Sequence, residues 1–178
     1  MDLKVIDNFY EEIDFNYMLT ASMLNSYSST WQPNGLNFYS KANAYLCHET
    51  KVFLNTDKPF LLFLNTFTFK TGIKVKKCKS FFRKIYASDL EHIFKYGLPP
   101  HKDDCEFDVA GVVYYNTFGL DDGTALYTGN ENYQIEPDII IGAKPNRCVF
   151  YDPQITHSPL QSKKTEIRII QPFFITYE

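Results

Sequence analysis

His101 and Asp103 place an imidazole and a carboxylate two residues apart, and a second imidazole, His157, follows after a long stretch rich in strand formers. In extended chain, alternate side chains point the same way, so His101 and Asp103 can face one ion while Lys102 faces away. Two histidines and one carboxylate on one face of octahedral iron(II) leave three positions open, the arrangement of the facial triad. A bare His-x-Asp is a weak signal, because a loop pair bonded to backbone has the same spelling. Arg168 gives it context. It lies on an expected strand over 166–174 and shares a face with Ile170, which points a guanidinium into an apolar wall. A buried arginine without a partner is costly, and a dicarboxylate cosubstrate gripped by the planar fork is such a partner.

Other candidates carry less. His92 has no carboxylate two residues on, and His48 sits in a segment that reads as helix, so both are taken as ordinary surface histidines. Cys105 lies close to the ligand pair, but a loop thiol without a catalytic partner is the plainer reading.

The elements that must position these residues fit one domain spanning 1–178, long enough for a real core. A formal charge of −3 gives no general pull toward nucleic acid or anionic membrane. No apolar run is long enough to cross a bilayer and the start of the chain has no signal-peptide pattern, so a cytoplasmic protein is expected. Cys47, Cys78, Cys105 and Cys148 are widely spaced, which indicates reduced thiols rather than a disulfide framework or zinc knuckle.

Leu3, Val5 and Ile6 open the chain, and Asn8 with Glu11 has capping-box spacing for a helix burying Ile13, Tyr17, Ala21 and Leu24. Residues 26–35, rich in Ser, Asn, Pro and Gly around Trp31, read as a loop. Residues 42–46 read as helix, 59–68 is an apolar, aromatic run that suits helix or buried strand and is taken as helix, 73–86 reads as one strand, and 88–96 as a short helix opened by Ser88 and closed by Gly97. Pro99 and Pro100 stiffen the approach to His101. Strands are expected over 109–116, 124–128 and 147–151, with a turn at 119–123. Short strands separated by turns suggest a jelly roll rather than alternating strand and helix units. Lys70, Lys74, Lys76, Lys77, Lys79, Arg83 and Lys84 form a basic stretch whose commoner explanation is a solvated strand face.

With these residues in place, the chain resembles the Fe(II)- and 2-oxoglutarate-dependent dioxygenases, nearest to the prolyl-4-hydroxylase-like group. The shared features are Val5-Ile6-Asp7-Asn8-Phe9, His101-Lys102-Asp103, Val112-Val113-Tyr114-Tyr115-Asn116, Asp122-Gly123-Thr124, His157 and Arg168. They cover the N-terminal strand and helix and most of the chain from Ile73 onward. Tyr115 stands where the family has leucine, and Asp122 where it has the first glycine of a turn.

The resemblance implies a mainly β fold with flanking helices, a double-stranded β-helix (jelly roll, cupin-like) supported by N-terminal helices. It implies Fe(II) on His101, Asp103 and His157, with 2-oxoglutarate and O2 as cosubstrates. Arg168 would hold the distal carboxylate with Tyr114, and by weaker correspondence Tyr86; Tyr127 and Thr124 are reserves. The implied reaction is hydroxylation of a C–H bond with conversion of 2-oxoglutarate to succinate and CO2.

Three functions compete: a prolyl or other peptide hydroxylase, an oxygenase acting on a small metabolite or nucleic acid (demethylase-like), and a non-catalytic metal-binding jelly roll. Arg168 argues against the third, because a structural metal site needs no carboxylate fork. Trp31, Lys102 and loop 104–108 are expected at the mouth, a rim of mixed charge that favours a peptide or small molecule over DNA or RNA.

Overall fold

A computed structural model describes residues 3–33, 44–90, 100–103, 106–128 and 136–178. Eleven strands and two helices are described: β1 Lys4–Ile6, α1 Glu12–Leu24, β2 Ser28–Pro33, β3 Ala44–Glu49, α2 Lys58–Thr71, β4 Val75–Ser80, β5 Arg83–Tyr86, β6 Val109–Tyr114, β7 Gly119–Tyr127, β8 Ile139–Ala143, β9 Cys148–Tyr151, β10 Thr156–Pro159 and β11 Ile167–Tyr177. The large sheet runs β1-β9-β6-β11-β5-β3-β2 with β4 also on β11, and the small one runs β10-β7-β8. Every pairing within them is antiparallel. The two sheets face each other as a jelly roll, with the helices on the outer face of the large one. No described helix is long and apolar enough to cross a membrane.

The alternation of β11 divides the core. Ile169, Phe173 and Ile175 face the helices, where Phe63 and Phe67 of α2 meet Phe173 at ring separations of 4.8 and 5.6 Å. Phe60, Phe63 and Phe67 recur at helical spacing and make one buried stripe, and α2 ends at Gly72 with φ 72. Arg168 and Ile170 face the small sheet instead.

Gln171 is the polar exception on the helix side. Its Oε1 accepts the hydroxyls of Tyr10 and Tyr115 at 2.8 and 2.7 Å, and its amide donates to Ser80 at 2.9 Å. Tyr115, the departure from the family's leucine, therefore belongs to this buried network and not to the inter-sheet cavity.

Several local expectations change. Of the helix expected at 42–46, residues 42 and 43 lie outside the described residues and the rest is strand: Ala44–Glu49 is β3, because the free edge of β5 and the strand β2 offer a backbone ladder that outweighs local propensity. The expected loop at 26–35 contains β2 for the same reason.

The single strand expected at 73–86 is two, broken at Phe81-Phe82. Opposite the break lies Pro172, whose carbonyl accepts from Phe81 and Ser80 but which has no N–H to return.

The turn at 119–123 is an irregularity inside one strand, β7, where Gly119 pairs Ala143 and Thr124 already pairs Ile141. A Cβ on Gly123 would stand 1.9 Å from the Ile141 carbonyl oxygen, so the close approach requires glycine. Asp122 is buried there and accepts from Ser162 N at 2.8 Å and from the Thr165 hydroxyl. It ties the segment after β10 to β7, which accounts for a carboxylate in a glycine's place.

Helix α1 begins at Glu12, with Glu11 rather than Asn8 as its N-cap, and Asn8 has φ 52. Its buried face is rotated from the expected one. Phe15 stacks on Tyr115 and Met18 and Ser22 are buried, while Ile13 and Leu24 are about four-fifths exposed. Apolar residues occur on several sides of this helix, so contact with the sheet chose the side. The helix expected at 88–96 survives as a 3-10 turn, Ala87–Leu90, and the rest of it lies outside the described residues. His48 is no solitary surface histidine: it is half-buried and meets Asp89 at 3.1 Å and Ser29 at 3.3 Å. His92 and Cys105 lie outside the described residues, and Cys47, Cys78 and Cys148 form no disulfide among the described residues.

Removing one hydroxyl from the Gln171 network leaves its oxygen with the other donor. Tyr115→Phe is expected to cost about 1 kcal/mol, the net worth of one buried hydrogen bond, read as a lower urea midpoint at unchanged m-value.

Candidate active site

His157 sits on β10 opposite Leu126 of β7, facing the space between the sheets. Its N–H donates to the His101 carbonyl and the His101 N–H returns the bond, both at 2.8 Å, so the two histidines are locked side by side. The bridge lies outside the named strands. Asp103 is anchored through its N–H to the Pro153 carbonyl at 3.0 Å, and the 152–155 turn that presents Pro153 is closed by Ile155 N to Asp152 O at 2.9 Å.

The result is that one donor atom each from His101, Asp103 and His157 fall within 4.8 Å of one another, the one such group among the described residues. His157 Nε2 lies 3.4 Å from Asp103 Oδ2. Cis donors around an octahedral ion with bonds of about 2.1 Å sit about 3 Å apart, so the spacing suits a metal.

Protonation fits as well. His157 Nδ1 lies 3.0 Å from the Ile155 carbonyl oxygen, which makes Nδ1 the N–H atom and turns the Nε2 lone pair toward Asp103. Burial pushes the His157 pKa down to about 4, so the imidazole is neutral at neutral pH. A neutral ring nitrogen facing a carboxylate oxygen brings two acceptors together, an arrangement a cation resolves.

A cavity of about 340 Å³ connects these donors to Arg168. Arg168 is 1 % exposed. Its Nη2 donates to the Gly123 carbonyl at 3.1 Å, but Nε and Nη1 have no hydrogen-bond partner. Its guanidinium carbon lies 5.6 Å from the Tyr114 ring centroid. Burial raises the Tyr114 pKa against the opposing charge of Arg168, and its hydroxyl lies 2.5 Å from Thr124 Oγ1. Thr124 lines the cavity whereas Tyr114 lies behind it, so Tyr114 braces Arg168 and Thr124.

The remaining expected residues separate. Tyr86 follows Ile85, which pairs with Arg168, so it points to the opposite face of the sheet and packs at 5.0 Å on His48. Tyr127 alternates with Leu126 on β7 and so points away from the cavity, 3.3 Å from Ser158. Neither lines the cavity. Lys102 is exposed but reaches the cavity rim instead of facing wholly away. The backbone of Trp31 lies on β2 at the far edge of the large sheet, and its side chain is outside the described residues. Of loop 104–108, residues 104 and 105 are likewise outside them; Glu106 pairs with Lys77 at 3.0 Å.

Sequence reasoning missed Tyr151, whose ring lies 4.9 Å from that of His157 and whose pKa is raised by burial and by Asp103. It also missed Glu49, Lys79, Phe81, Arg83 and Phe174 as cavity-lining residues. The alternation of β9 and β11 was the available signal, but only the pairing of Ala110 with Tyr151 and Phe174 puts them beside the His101, Asp103 and His157 cluster.

No family model matches the chain, and no curated protein matches it. Solved structures do. A 2OG-Fe(II) oxygenase family oxidoreductase from Burkholderia pseudomallei aligns with a TM-score of 0.61 at 7 % identity, over 98 % of this chain and 85 % of that one. A prolyl hydroxylase from Trichoplax adhaerens, in complex with a hypoxia-inducible-factor peptide fragment, gives 0.62 at 12 %, over 98 % and 83 %. The epimerase SnoN, in complex with Fe3+, alpha-ketoglutarate and nogalamycin RO, gives 0.58 at 11 %, over 98 % and 78 %. At these identities the likeness is one of architecture, and the chain has the jelly-roll fold of the Fe(II)- and 2-oxoglutarate-dependent oxygenases.

Proposed function

We propose that the protein is an Fe(II)- and 2-oxoglutarate-dependent oxygenase that hydroxylates a C–H bond of a small molecule or peptide. One observation carries this reading: a buried guanidinium with two unpartnered nitrogens shares a cavity with a His/Asp/His donor set. His101, Asp103 and His157 would hold the iron, and Arg168, with the Thr124 hydroxyl beside it, would take the distal carboxylate of 2-oxoglutarate. The chemistry supplied by iron there is O2 activation, in which 2-oxoglutarate loses CO2 and becomes succinate with one oxygen atom while the other enters the substrate C–H bond.

The chain's own part is positional. The His101–His157 bridge fixes both imidazoles before any ligand arrives, and Ile155 holds His157 in the tautomer whose Nε2 is free to bind. Tyr151, kept protonated by its burial, offers a neutral hydroxyl near Asp103. The inter-sheet core of Val112, Leu126, Ile141 and Ile170 limits water around these groups. Both signs of charge occur around the mouth, Glu49 and Asp103 with Lys79, Arg83 and Lys102, which supports a peptide or small molecule over nucleic acid.

Two substitutions test the reading. His157→Ala removes one of three protein ligands and should weaken Fe(II) binding by at least about 100-fold in anaerobic titration, with loss of succinate formation. Metal affinity equal to wild type would refute the assignment. Arg168→Met should lower 2-oxoglutarate affinity by at least about tenfold in calorimetry, since each charge-assisted hydrogen bond contributes about 1.5–3 kcal/mol. The same variant should keep or raise the melting temperature of the ligand-free protein, because it removes a buried charge whose donors are partly unpartnered. A large loss of stability with unchanged cosubstrate affinity would make Arg168 structural.

A further inference from the structure

The cavity continues past the metal donors onto a part of the large sheet that the small sheet does not cover. There β11 presents Pro172 and Phe174, and the chain between β4 and β5 presents Phe81. Two aromatic rings and a proline form an apolar floor beside the donor set. Over it stands Lys79, with its ammonium 5.8 Å from the centroid of Phe174 and 6.0 Å from that of Phe81. Those separations are at the outer limit of cation–π attraction, so the rings do little to satisfy the charge. No carboxylate among the described residues pairs with Lys79 or with Lys102 across the mouth. The neighbouring Arg83 is already engaged by Glu49, with Nε to Oε1 at 2.7 Å.

We infer that the substrate is a small organic acid: its carboxylate binds Lys79, and its apolar body lies on Phe81 and Phe174, with a C–H bond toward His101, Asp103 and His157. This rests on the oxygenase reading and names the substrate class for it. A carboxylate fits better than a phosphate, because a phosphate dianion is best met by a guanidinium fork and the nearby fork is occupied. A small molecule fits better than a peptide, because the cavity lies at the low end of small-molecule pockets and must also admit the cosubstrate. Cationic substrates are disfavoured by both lysines.

The test uses the full chain with Fe(II) and 2-oxoglutarate under anaerobic conditions and reads binding directly by ligand-observed NMR. The probes are N-acetyl-leucine and N-acetyl-phenylalanine, their neutral amides, and the capped acidic peptide acetyl-Gly-Asp-Gly-amide. Lys79 is exposed, so Lys79→Met leaves the fold intact while removing the charge and keeping the stem. The wild type should bind at least one free acid about tenfold or more tightly than its amide, one charge-assisted contact. Lys79→Met should bring that ratio close to one, Lys79→Arg should restore it, and the 2-oxoglutarate affinity of all three should be equal.

Equal binding of acids and amides by the wild type overturns the inference. So does an acid preference that survives Lys79→Met, or peptide binding as tight as that of the acids. In each of these cases, retained Arg168-dependent binding of 2-oxoglutarate leaves the oxygenase reading standing. Failure of the wild type to bind 2-oxoglutarate defeats that reading itself.

Discussion

A long strand buried on both faces must have both edges paired, and β11 is that strand. β6 satisfies one edge from Val109 to Tyr114, while β5 and then β4 share the other. The handover falls at Pro172, the residue without a backbone donor, so the sheet accommodates its one missing N–H by changing partners there. The break in turn places Phe81 over the end of the cavity. Alternation along the same strand sends Ile169, Gln171 and Phe173 to the helices and Arg168, Ile170, Pro172 and Phe174 to the cavity. Core, the Arg168 end of the cavity and apolar floor are thus successive readings of one strand.

Burial is used in opposite ways at the two ends of the cavity. At His157 desolvation favours the neutral imidazole, which is the form that binds metal. At Arg168 the guanidinium is buried and the environment leaves part of its hydrogen-bonding capacity unmet. A fold that only needed stability would replace this residue with an apolar one of similar size. Retaining it makes sense where a dianionic ligand completes the set. Tyr114 and Thr124, joined by their hydroxyls, and the Gly123 carbonyl keep the guanidinium directed into the cavity.

The two departures from the family pattern have structural explanations. Tyr115 is one residue from Tyr114 and therefore on the other face, where its hydroxyl closes the Gln171 network. Asp122 fastens the segment between β10 and β11 to β7 by accepting from Ser162 and Thr165. That segment joins the strand of His157 to the strand of Arg168, so the clamp helps set their separation without touching either.

The types and two-residue spacing of His101 and Asp103, the guanidinium on an apolar strand and the helix at 59–68 were legible in the sequence, because each is a local pattern of residue type and period. The same reasoning went wrong at Ala44–Glu49, where a strand forms because β5 offers an unpaired edge, and at 73–86, where a proline far along the chain divides one expected strand into two. It also misplaced Tyr86 and Tyr127, since the face a strand residue occupies depends on its register with partners that local sequence does not name. The apolar floor beside His101, Asp103 and His157 was invisible for the same reason. Phe81, Phe174 and Lys79 come from β11 and the chain beside it, and only antiparallel pairing across the large sheet brings them next to a site built on β10 and the chain around His101.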